Sequence, residues 1–176
     1  MSLDGRLAGE DDDLAFLATI DGGFEDTPYQ MHRVIEGFDS IVVGARTFRV
    51  ILRHIEEGKF AAWPYGDRPV WVLSHMKTLP DVPGASNLRL MAGTADQVMA
   101  AVAEEPVSRT WLLGGGEVAA QFLAADHVDE LILGLAPSLV GRGPSLADGV
   151  FPLRRFTLED VRRDKSSLAL RYVRPR

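Results

Sequence analysis

Two segments of the sequence place an apolar strand-like run, a glycine turn and a helix-like run in immediate succession. The run SIVV (40–43) precedes Gly44 and an amphipathic stretch over about 45–57. The run over 109–113 precedes Gly114-Gly115-Gly116 and a stretch with one apolar face over 116–125. Such runs, bounded by glycine and followed by a period near 3.6, predict strand–helix units. They indicate an α/β fold with a largely parallel sheet.

The rest of the chain continues this alternation and ends differently. Further strands are predicted over 69–74, 87–91 and 128–137, with a short helix after the acidic run Asp11-Asp12-Asp13. Thr27-Pro28 is a favourable helix start, and Thr94 with Gln97 forms a capping box before another helix. The last segment alternates as a hairpin, with its turn at Asp164-Lys165. We therefore expect one domain over 1–176, a mostly parallel sheet flanked by helices and a C-terminal antiparallel hairpin.

Composition excludes several classes of function. The net charge of −6 and the absence of a basic stripe argue against a nucleic-acid partner. No apolar run approaches the length of a membrane span, and no signal-peptide pattern opens the sequence, so we expect a cytoplasmic protein without a membrane partner. The sequence has no cysteine, and its four histidines are far apart, so no metal site is predicted.

The two glycine turns share a possible function in binding phosphate. A helix N-terminus presents unpaired N–H groups and the positive end of the helix dipole, and glycine lets an anion come close. Two such ends side by side could hold the pyrophosphate of a dinucleotide, provided that the two strands are neighbours in the sheet. The spacing matches neither a Rossmann GxGxxG nor a P-loop. A purely structural turn is the alternative for each segment.

Several polar residues stand near these turns or near other strand ends. Arg46 and Thr47 fall in the first turn of the helix after Gly44, where a cation and a hydroxyl suit a phosphate. Ser74, followed by His75, ends a predicted strand and could contact a ribose 2′-phosphate. One of the three aspartates in the acidic run Asp11-Asp12-Asp13 could face a cleft, hold the N–H groups of a substrate and assist proton delivery, and Asp4, in SLDG, is a similar candidate. A helix N-cap and a turn, respectively, are the structural alternatives for the acidic run and for Asp4.

Seven segments, in this order, resemble a known group of proteins. The sequence is similar to the dihydrofolate-reductase-like superfamily. Within it, the sequence is closest to the family of the reductase domain of the bacterial bifunctional riboflavin-biosynthesis deaminase–reductase. The matching segments span nearly the whole chain: SLDGRLA (2–8), DLAFL (13–17), IVVGARTF (41–48), WPYGDRPVWVLS (63–74), TWLLGGGEVAAQFL (110–123), VDELILGLAPSLVGRGPSL (128–146) and LALRYVR (168–174).

The resemblance implies an eight-stranded mixed sheet, bound NADPH and a homodimer. It implies that Asp13 binds the substrate ring and assists protonation, and that Asp4 lies on the substrate side near the nicotinamide. Ser74 corresponds to the position at the adenosine 2′-phosphate. Together with the helix-start arguments, the resemblance gives this set of expected cofactor-binding residues: Gly44, Arg46, Thr47, Ser74, Gly114, Gly115 and Gly116.

Three features of the sequence depart from that family pattern. A strand normally precedes SLDG and lies centrally in the sheet, whereas only Met1 precedes Ser2 here, so we expect the fold to lack that strand. An Asp-x-Pro-x-Leu stretch normally follows Gly-x-x-Thr, whereas residues 48–52 read FRVIL. The arm between SLDG and DLAF is shorter than in dihydrofolate reductase.

These observations leave three hypotheses about function. The leading one is an NADPH-dependent reductase of a small heterocycle, similar to the 5-amino-6-(5-phosphoribosylamino)uracil reductase of riboflavin biosynthesis. The second is a dihydrofolate reductase or other pteridine reductase, which would require Asp13 to pair with a pterin N–H. The third is a nucleotide-binding or structural dimer without catalysis.

Overall fold

The computed structural model describes residues 1–175 and contains two β-sheets and four α-helices. The first sheet is parallel, with the strand order β3-β2-β1-β4. The second sheet is antiparallel, with the order β5-β7-β6. The strands are β1 (Ser40–Gly44), β2 (Val70–Leu73), β3 (Leu88–Met91), β4 (Thr110–Gly114), β5 (Glu130–Leu135), β6 (Thr157–Asp164) and β7 (Ser167–Val173). The helices are α1 (Met31–Glu36), α2 (Ala45–Glu56), α3 (Ala95–Ala103) and α4 (Gly116–Ala124). The predicted α/β class, with a parallel sheet, flanking helices and a C-terminal antiparallel hairpin, is confirmed.

Hydrophobic clusters cover both faces of the parallel sheet, which explains why its strands are mostly apolar. Along β1, successive side chains alternate between two hydrophobic clusters, as the period of two in a strand requires. Ile41 and Val43 pack in the cluster that contains Phe48 of α2, and Val42 packs in the cluster that contains Val98 of α3. All three β1 side chains are fully buried. This packing fixes β1, and with it Gly44, at the centre of the sheet.

Several predicted element boundaries hold, and others shift for local reasons. The capping box is present: Thr94 Oγ1 accepts a hydrogen bond from the backbone N–H of Gln97, whose side chain accepts one from Thr94 N–H. The helix predicted from Thr27 begins only at Met31, because the Thr27 hydroxyl donates to the Phe24 carbonyl and closes a separate turn. The hairpin turn lies one residue later than predicted, since Asp164 still pairs with Ser167.

The segment after the acidic run is also not an α-helix. Two short 3-10 turns occupy Glu10–Asp12 and Ala15–Thr19. Asp11 and Asp12 both have left-handed backbone conformations, with φ of 54° and 63°. Aspartate tolerates this region better than most residues, but two consecutive left-handed residues prevent a regular helix.

The resemblance implies a single eight-stranded sheet, whereas residues 1–175 contain seven strands in two sheets. Within residues 1–175, β4 pairs only with β1, and β5 pairs only with β7. Met1 lies along the other edge of β5, where its amino group donates to the Gly134 carbonyl and its carbonyl accepts from Ala136 N–H.

An ion pair joins the beginnings of β4 and β5. The guanidinium of Arg109, immediately before β4, lies 2.8 Å from the Glu130 carboxylate. Glu130 also accepts a hydrogen bond of 2.6 Å from Arg171 Nε of β7. The two sheets are therefore connected by side chains where they are not connected by backbone pairing.

Candidate functional site

A cavity of about 640 Å³ opens at the carboxyl ends of the four parallel strands. Each strand contributes its last residues or those just after it, because parallel strands all end at the same edge of the sheet. The cavity size lies within the range of small-molecule and cofactor sites. Its polar and backbone lining comes mainly from Asp12, Gly44, Arg46, Thr47, Arg49, Ser74, His75, Gly93, Gly115, Gly116, Glu117, Gln121 and Asp148, and its apolar lining includes Leu14, Val50, Leu73, Met91, Leu113 and Val118.

The two glycine turns lie next to each other at this edge. Strands β1 and β4 are direct neighbours, with Val43 paired to Gly114, which confirms the adjacency on which the two-helix hypothesis depends. The contact is close: a Cβ placed on Gly44 would lie 2.8 Å from Val118 Cγ2 and 3.3 Å from the Gly114 carbonyl oxygen. Helices α2 and α4 therefore begin side by side on one wall of the cavity.

The three consecutive glycines meet three different structural requirements. Gly114 has φ of 102°, a conformation that residues with a side chain rarely adopt. Gly115 lines the cavity, and a Cβ there would meet only Thr47 Oγ1, at 3.4 Å. A Cβ on Gly116 would lie 2.3 Å from the carbonyl oxygen of Ser145. Of the three, Gly115 is the one whose missing side chain leaves space in the cavity.

The first turn of α2 places a cation and a hydroxyl at the cavity. Arg46 and Thr47 both line it, as the sequence predicted. The Arg46 Nε–H donates to Asp12 Oδ1 at 2.7 Å, so this cation is already paired with a carboxylate from the 3-10 turn Glu10–Asp12. The Arg46 side chain remains 58% exposed, so it is still accessible to a ligand.

Ser74 and His75 lie at the cavity where β2 ends. The Ser74 backbone N–H donates to the Met91 carbonyl, which continues the ladder between β2 and β3 for one more residue. The Ser74 hydroxyl oxygen accepts a hydrogen bond from Met76 N–H at 3.1 Å. Its own O–H can still donate, so Ser74 is placed where the sequence predicted and keeps a donor for a ligand.

Asp4 lies outside the cavity lining and holds a loop. Its carboxylate accepts hydrogen bonds from the Ser2 hydroxyl at 2.6 Å and from the backbone N–H groups of Val140 at 3.0 Å and Gly141 at 2.7 Å. The Ser2 bond first, and then the two backbone bonds, hold the pKa of Asp4 well below its usual range. The same loop reaches the cavity through Pro144, so the structure places Asp4 in contact with a cavity-rim loop.

Asp13 also lies outside the cavity lining, and its neighbour Asp12 lies inside it. The Asp13 carboxylate accepts from Ala15 N–H at 2.9 Å, which is a turn-capping interaction, and its backbone carbonyl accepts from Gly9 N–H. The roles predicted for Asp4 and Asp13 at the substrate stay predictions. The geometry makes Asp12 the carboxylate of the acidic run that reaches the cavity.

Other lining residues carried no distinctive sequence signal. Gln121 lies one turn into α4, and Arg49 lies one turn into α2, so the helical period alone could have placed them beside the helix starts. Asp148 could not have been found in this way. It belongs to an irregular segment and is held there by a backbone hydrogen bond of 3.0 Å to the Gly116 carbonyl.

Among residues 1–175, no group of three or more His, Cys, Asp or Glu side chains is arranged to hold a metal ion. None of the helices in this part of the chain is both long enough and apolar enough to span a membrane.

The fold and the cavity together define an α/β protein whose ligand site lies at the carboxyl edge of a parallel sheet. The sequence profile of the family described as RibD C-terminal domain matches residues 1–170. The chain therefore belongs to the RibD C-terminal domain family, and this membership supports a riboflavin-pathway reductase-like function. The predicted family resemblance is confirmed.

Two individual proteins are similar to the chain over nearly its whole length. The chain is 24% identical over 174 residues to the uncharacterized protein YwjB of Bacillus subtilis, covering 99% of this chain and 94% of that protein. The solved structure of a protein from Shewanella sp. PV-4, which carries the name riboflavin biosynthesis protein, superposes on this chain with a TM-score of 0.81 at 25% identity. The match covers 100% of this chain and 96% of the Shewanella chain.

A more distant structure resembles the chain in fold. It is the deaminase/5-amino-6-(5-phosphoribosylamino)uracil reductase of Thermotoga maritima, with a TM-score of 0.66 and 14% identity. The match covers 99% of this chain and 54% of the Thermotoga chain, so this chain spans about half of that protein's length.

Proposed function

We propose that the chain is an NADPH-dependent reductase acting on a small heterocyclic substrate, similar to 5-amino-6-(5-phosphoribosylamino)uracil. The observation that carries this proposal is that α2 and α4 begin side by side on one wall of the cavity. The backbone of Gly115, at the start of α4, lines the cavity next to Thr47 in the first turn of α2. Two helix N-termini that converge on one cavity favour a ligand with more than one phosphate.

The donor set fits a phosphorylated dinucleotide. Arg46 and Thr47 would hold phosphate oxygens at the start of α2, and the backbone of Gly115 and Gly116 would hold others at the start of α4. Ser74 and His75, at the end of β2, would contact the 2′-phosphate that distinguishes NADPH from NADH. The bound cofactor would supply the hydride, while the protein contributes orientation and a closed site.

The apolar part of the lining would serve the ring systems. Leu14, Val50 and Leu113 offer surface against which flat rings can pack and from which water is excluded. Asp12, like Leu14, lines the cavity. The pteridine-reductase hypothesis would need Asp13 in that position, and the Asp13 carboxylate is instead bonded to Ala15 N–H.

A titration with two dinucleotides tests this proposal. We expect purified protein to bind NADPH with a dissociation constant below a millimolar, measured by nicotinamide fluorescence, and to bind NADH more weakly. Ser74→Ala should reduce the difference between the dissociation constants for NADPH and NADH, because the 2′-phosphate of NADPH would lose a hydrogen-bond donor. Ser166→Ala, in the β6–β7 turn, is the matched control and should leave both constants unchanged.

The same experiment separates the competing functions. Folded protein that binds neither dinucleotide below a millimolar would refute the reductase proposal. Binding of NADPH without oxidation of the nicotinamide, when 5-amino-6-(5-phosphoribosylamino)uracil or dihydrofolate is added, would favour a nucleotide-binding protein without catalysis. Oxidation with dihydrofolate alone would favour the pteridine-reductase alternative.

A further inference from the structure

The ion pair between Asp12 and Arg46 lies in the lining of the cavity. Asp12 comes from the 3-10 turn Glu10–Asp12 and Arg46 from the first turn of α2, and both side chains line the cavity. The Nε–Oδ1 distance is 2.7 Å. Asp12 is 22% exposed and Arg46 is 58% exposed, so the carboxylate is the more enclosed partner.

This carboxylate occupies the position in which an anionic ligand would be expected. It lies against the guanidinium at the positive end of the α2 dipole, the same environment that favours a phosphate. Exposed ion pairs of this kind are weak, because water competes for both charges and long side chains lose freedom when they pair. A phosphate with two or three acceptor oxygens can therefore displace Asp12 from Arg46.

We propose that Asp12 is a built-in competitor for Arg46, which lowers the affinity of the cavity for phosphate groups until a ligand displaces it. The inference rests on the proposed function for the identity of the natural ligand, but the competition itself concerns any phosphate that reaches α2. Displacement leaves a carboxylate beside a bound anion, and this repulsion adds to the loss of the ion pair. Asp12 is thus a residue that tunes affinity and release rather than one that binds the phosphate.

The substitution Asp12→Asn tests the competition directly. Asparagine keeps the size of the side chain and tolerates the left-handed backbone at this position, so the turn should be preserved. With inorganic pyrophosphate as the probe in isothermal titration calorimetry, we expect binding to tighten by about three- to tenfold at low salt. The ratio of the pyrophosphate affinities of Asp12→Asn and the unmodified protein should approach one at about 0.5 M NaCl, because salt screens the interaction between accessible charges.

Two control variants assign the gain to this ion pair. Asp11→Asn removes the same charge from the same turn, also from a left-handed residue, but Asp11 is not part of the cavity lining. It should change pyrophosphate affinity by less than about 1.5-fold. In the Arg46→Gln background, Asp12→Asn should lose most of its effect, since the cation for which Asp12 competes has been removed.

The outcomes distinguish this inference from the proposed function. Unchanged, weaker or undetectable pyrophosphate binding by Asp12→Asn would overturn the competition, and weaker binding would identify Asp12 as a tether that holds the turn in place. An equal gain in Asp11→Asn would also overturn it, because bulk charge would then explain the effect. If Asp12→Asn binds pyrophosphate more tightly, but neither this variant nor the unmodified protein binds NADPH, the competition would be supported and the proposed cofactor refuted.

Discussion

The start of α4 offers a sharp test of the packing argument, because one methyl group added there has no space. We predict that Gly116→Ala destabilises the protein by about 1–3 kcal/mol. The Cβ would lie 2.3 Å from the Ser145 carbonyl oxygen and 3.4 Å from Asp148 Cβ, so it meets backbone rather than the end of a flexible side chain.

The magnitude follows from what must move. Relief of the contact requires the segment 145–148 to shift by about 1 Å, at a cost typical of overpacking, about 1–3 kcal/mol. That shift also stretches the 3.0 Å hydrogen bond from Asp148 N–H to the Gly116 carbonyl, which adds about 0.5–1.5 kcal/mol. Alanine recovers at most about 1 kcal/mol through its better helix propensity, so the net change stays unfavourable.

Urea unfolding followed by fluorescence of the three tryptophans measures this change. Gly134→Ala is the matched control, since a Cβ at that strand position has no atom within 4 Å, and we expect it to lie within about 0.5 kcal/mol of the unmodified protein. The reasoning is refuted if Gly116→Ala is also within about 0.5 kcal/mol, or if Gly134→Ala is equally destabilised.

The neighbouring variant Gly115→Ala should separate binding from folding. Its Cβ would touch only Thr47 Oγ1, at 3.4 Å, so the free energy of unfolding should change by less than about 1 kcal/mol. Most of that change would arise because alanine is less favourable than glycine at the N-cap of α4. The added methyl group would instead take up space in the cavity between the two helix starts. We expect NADPH affinity to fall by about tenfold or more, measured by nicotinamide fluorescence. Unchanged affinity would remove this backbone from the proposed phosphate site.

Three further predictions concern polar contacts away from the glycines. Asp4→Asn should destabilise the protein at neutral pH, and the difference from the unmodified protein should begin to shrink as the pH falls below about 4. The reason is that a carboxylate with a lowered folded pKa contributes its full stability above its unfolded pKa and loses it progressively as the pH falls toward its folded pKa. Urea unfolding between pH 3 and 7 measures the onset of this loss, with Asp26→Asn, at a side chain that is 97% exposed, as the control. Glu130→Gln should cost about 1 kcal/mol, and less in 0.5 M NaCl, because its carboxylate pairs with two partly exposed arginines at the junction of the sheets; an unchanged urea midpoint would contradict this. Tyr29→Phe should cost about 1 kcal/mol at pH 7 by the same assay, since the phenol donates a 2.8 Å hydrogen bond to a β6 carboxylate. Burial and that bond raise the pKa of Tyr29 to about 12, so its contribution should be lost as the pH rises through about 10–12.

The fold class was predictable because its signals are local. Apolar runs that end in glycine and continue as helices identify βα units without knowledge of their partners, and β1 and β4 with α2 and α4 are found where the pattern indicated. The adjacency of β1 and β4 was an additional assumption, which the strand order confirms. The late start of α1 was missed because the Thr27 hydroxyl bonds backward to Phe24 rather than forward into a helix.

The carboxylates at the site were predictable only as a group. The acidic run suggested that one aspartate faces a cleft, but which one depends on backbone torsions rather than on residue type. With left-handed conformations at Asp11 and Asp12, the chain turns so that Asp12 meets Arg46 and Asp13 caps the next turn. A helix at the same residues would have arranged the three side chains about 100° apart and could have favoured any of them. Asp4 was harder still, because its backbone partners are 136 and 137 residues away in sequence.

The cavity lining contains both basic and acidic side chains. Arg46, Arg49 and His75 share the lining with Asp12, Glu117 and Asp148, so the cavity is not a simple cationic pocket. Helix dipoles attract any anion, including a carboxylate of the same chain, and Asp12 shows that such a carboxylate is available. Selective binding of a phosphorylated ligand must therefore come from the number and geometry of donors that a phosphate can use at once and a carboxylate cannot. The backbone of Gly115, which lies close to Thr47, and the backbone of Gly116 would supply those additional donors, which is why the proposed site needs both glycine turns.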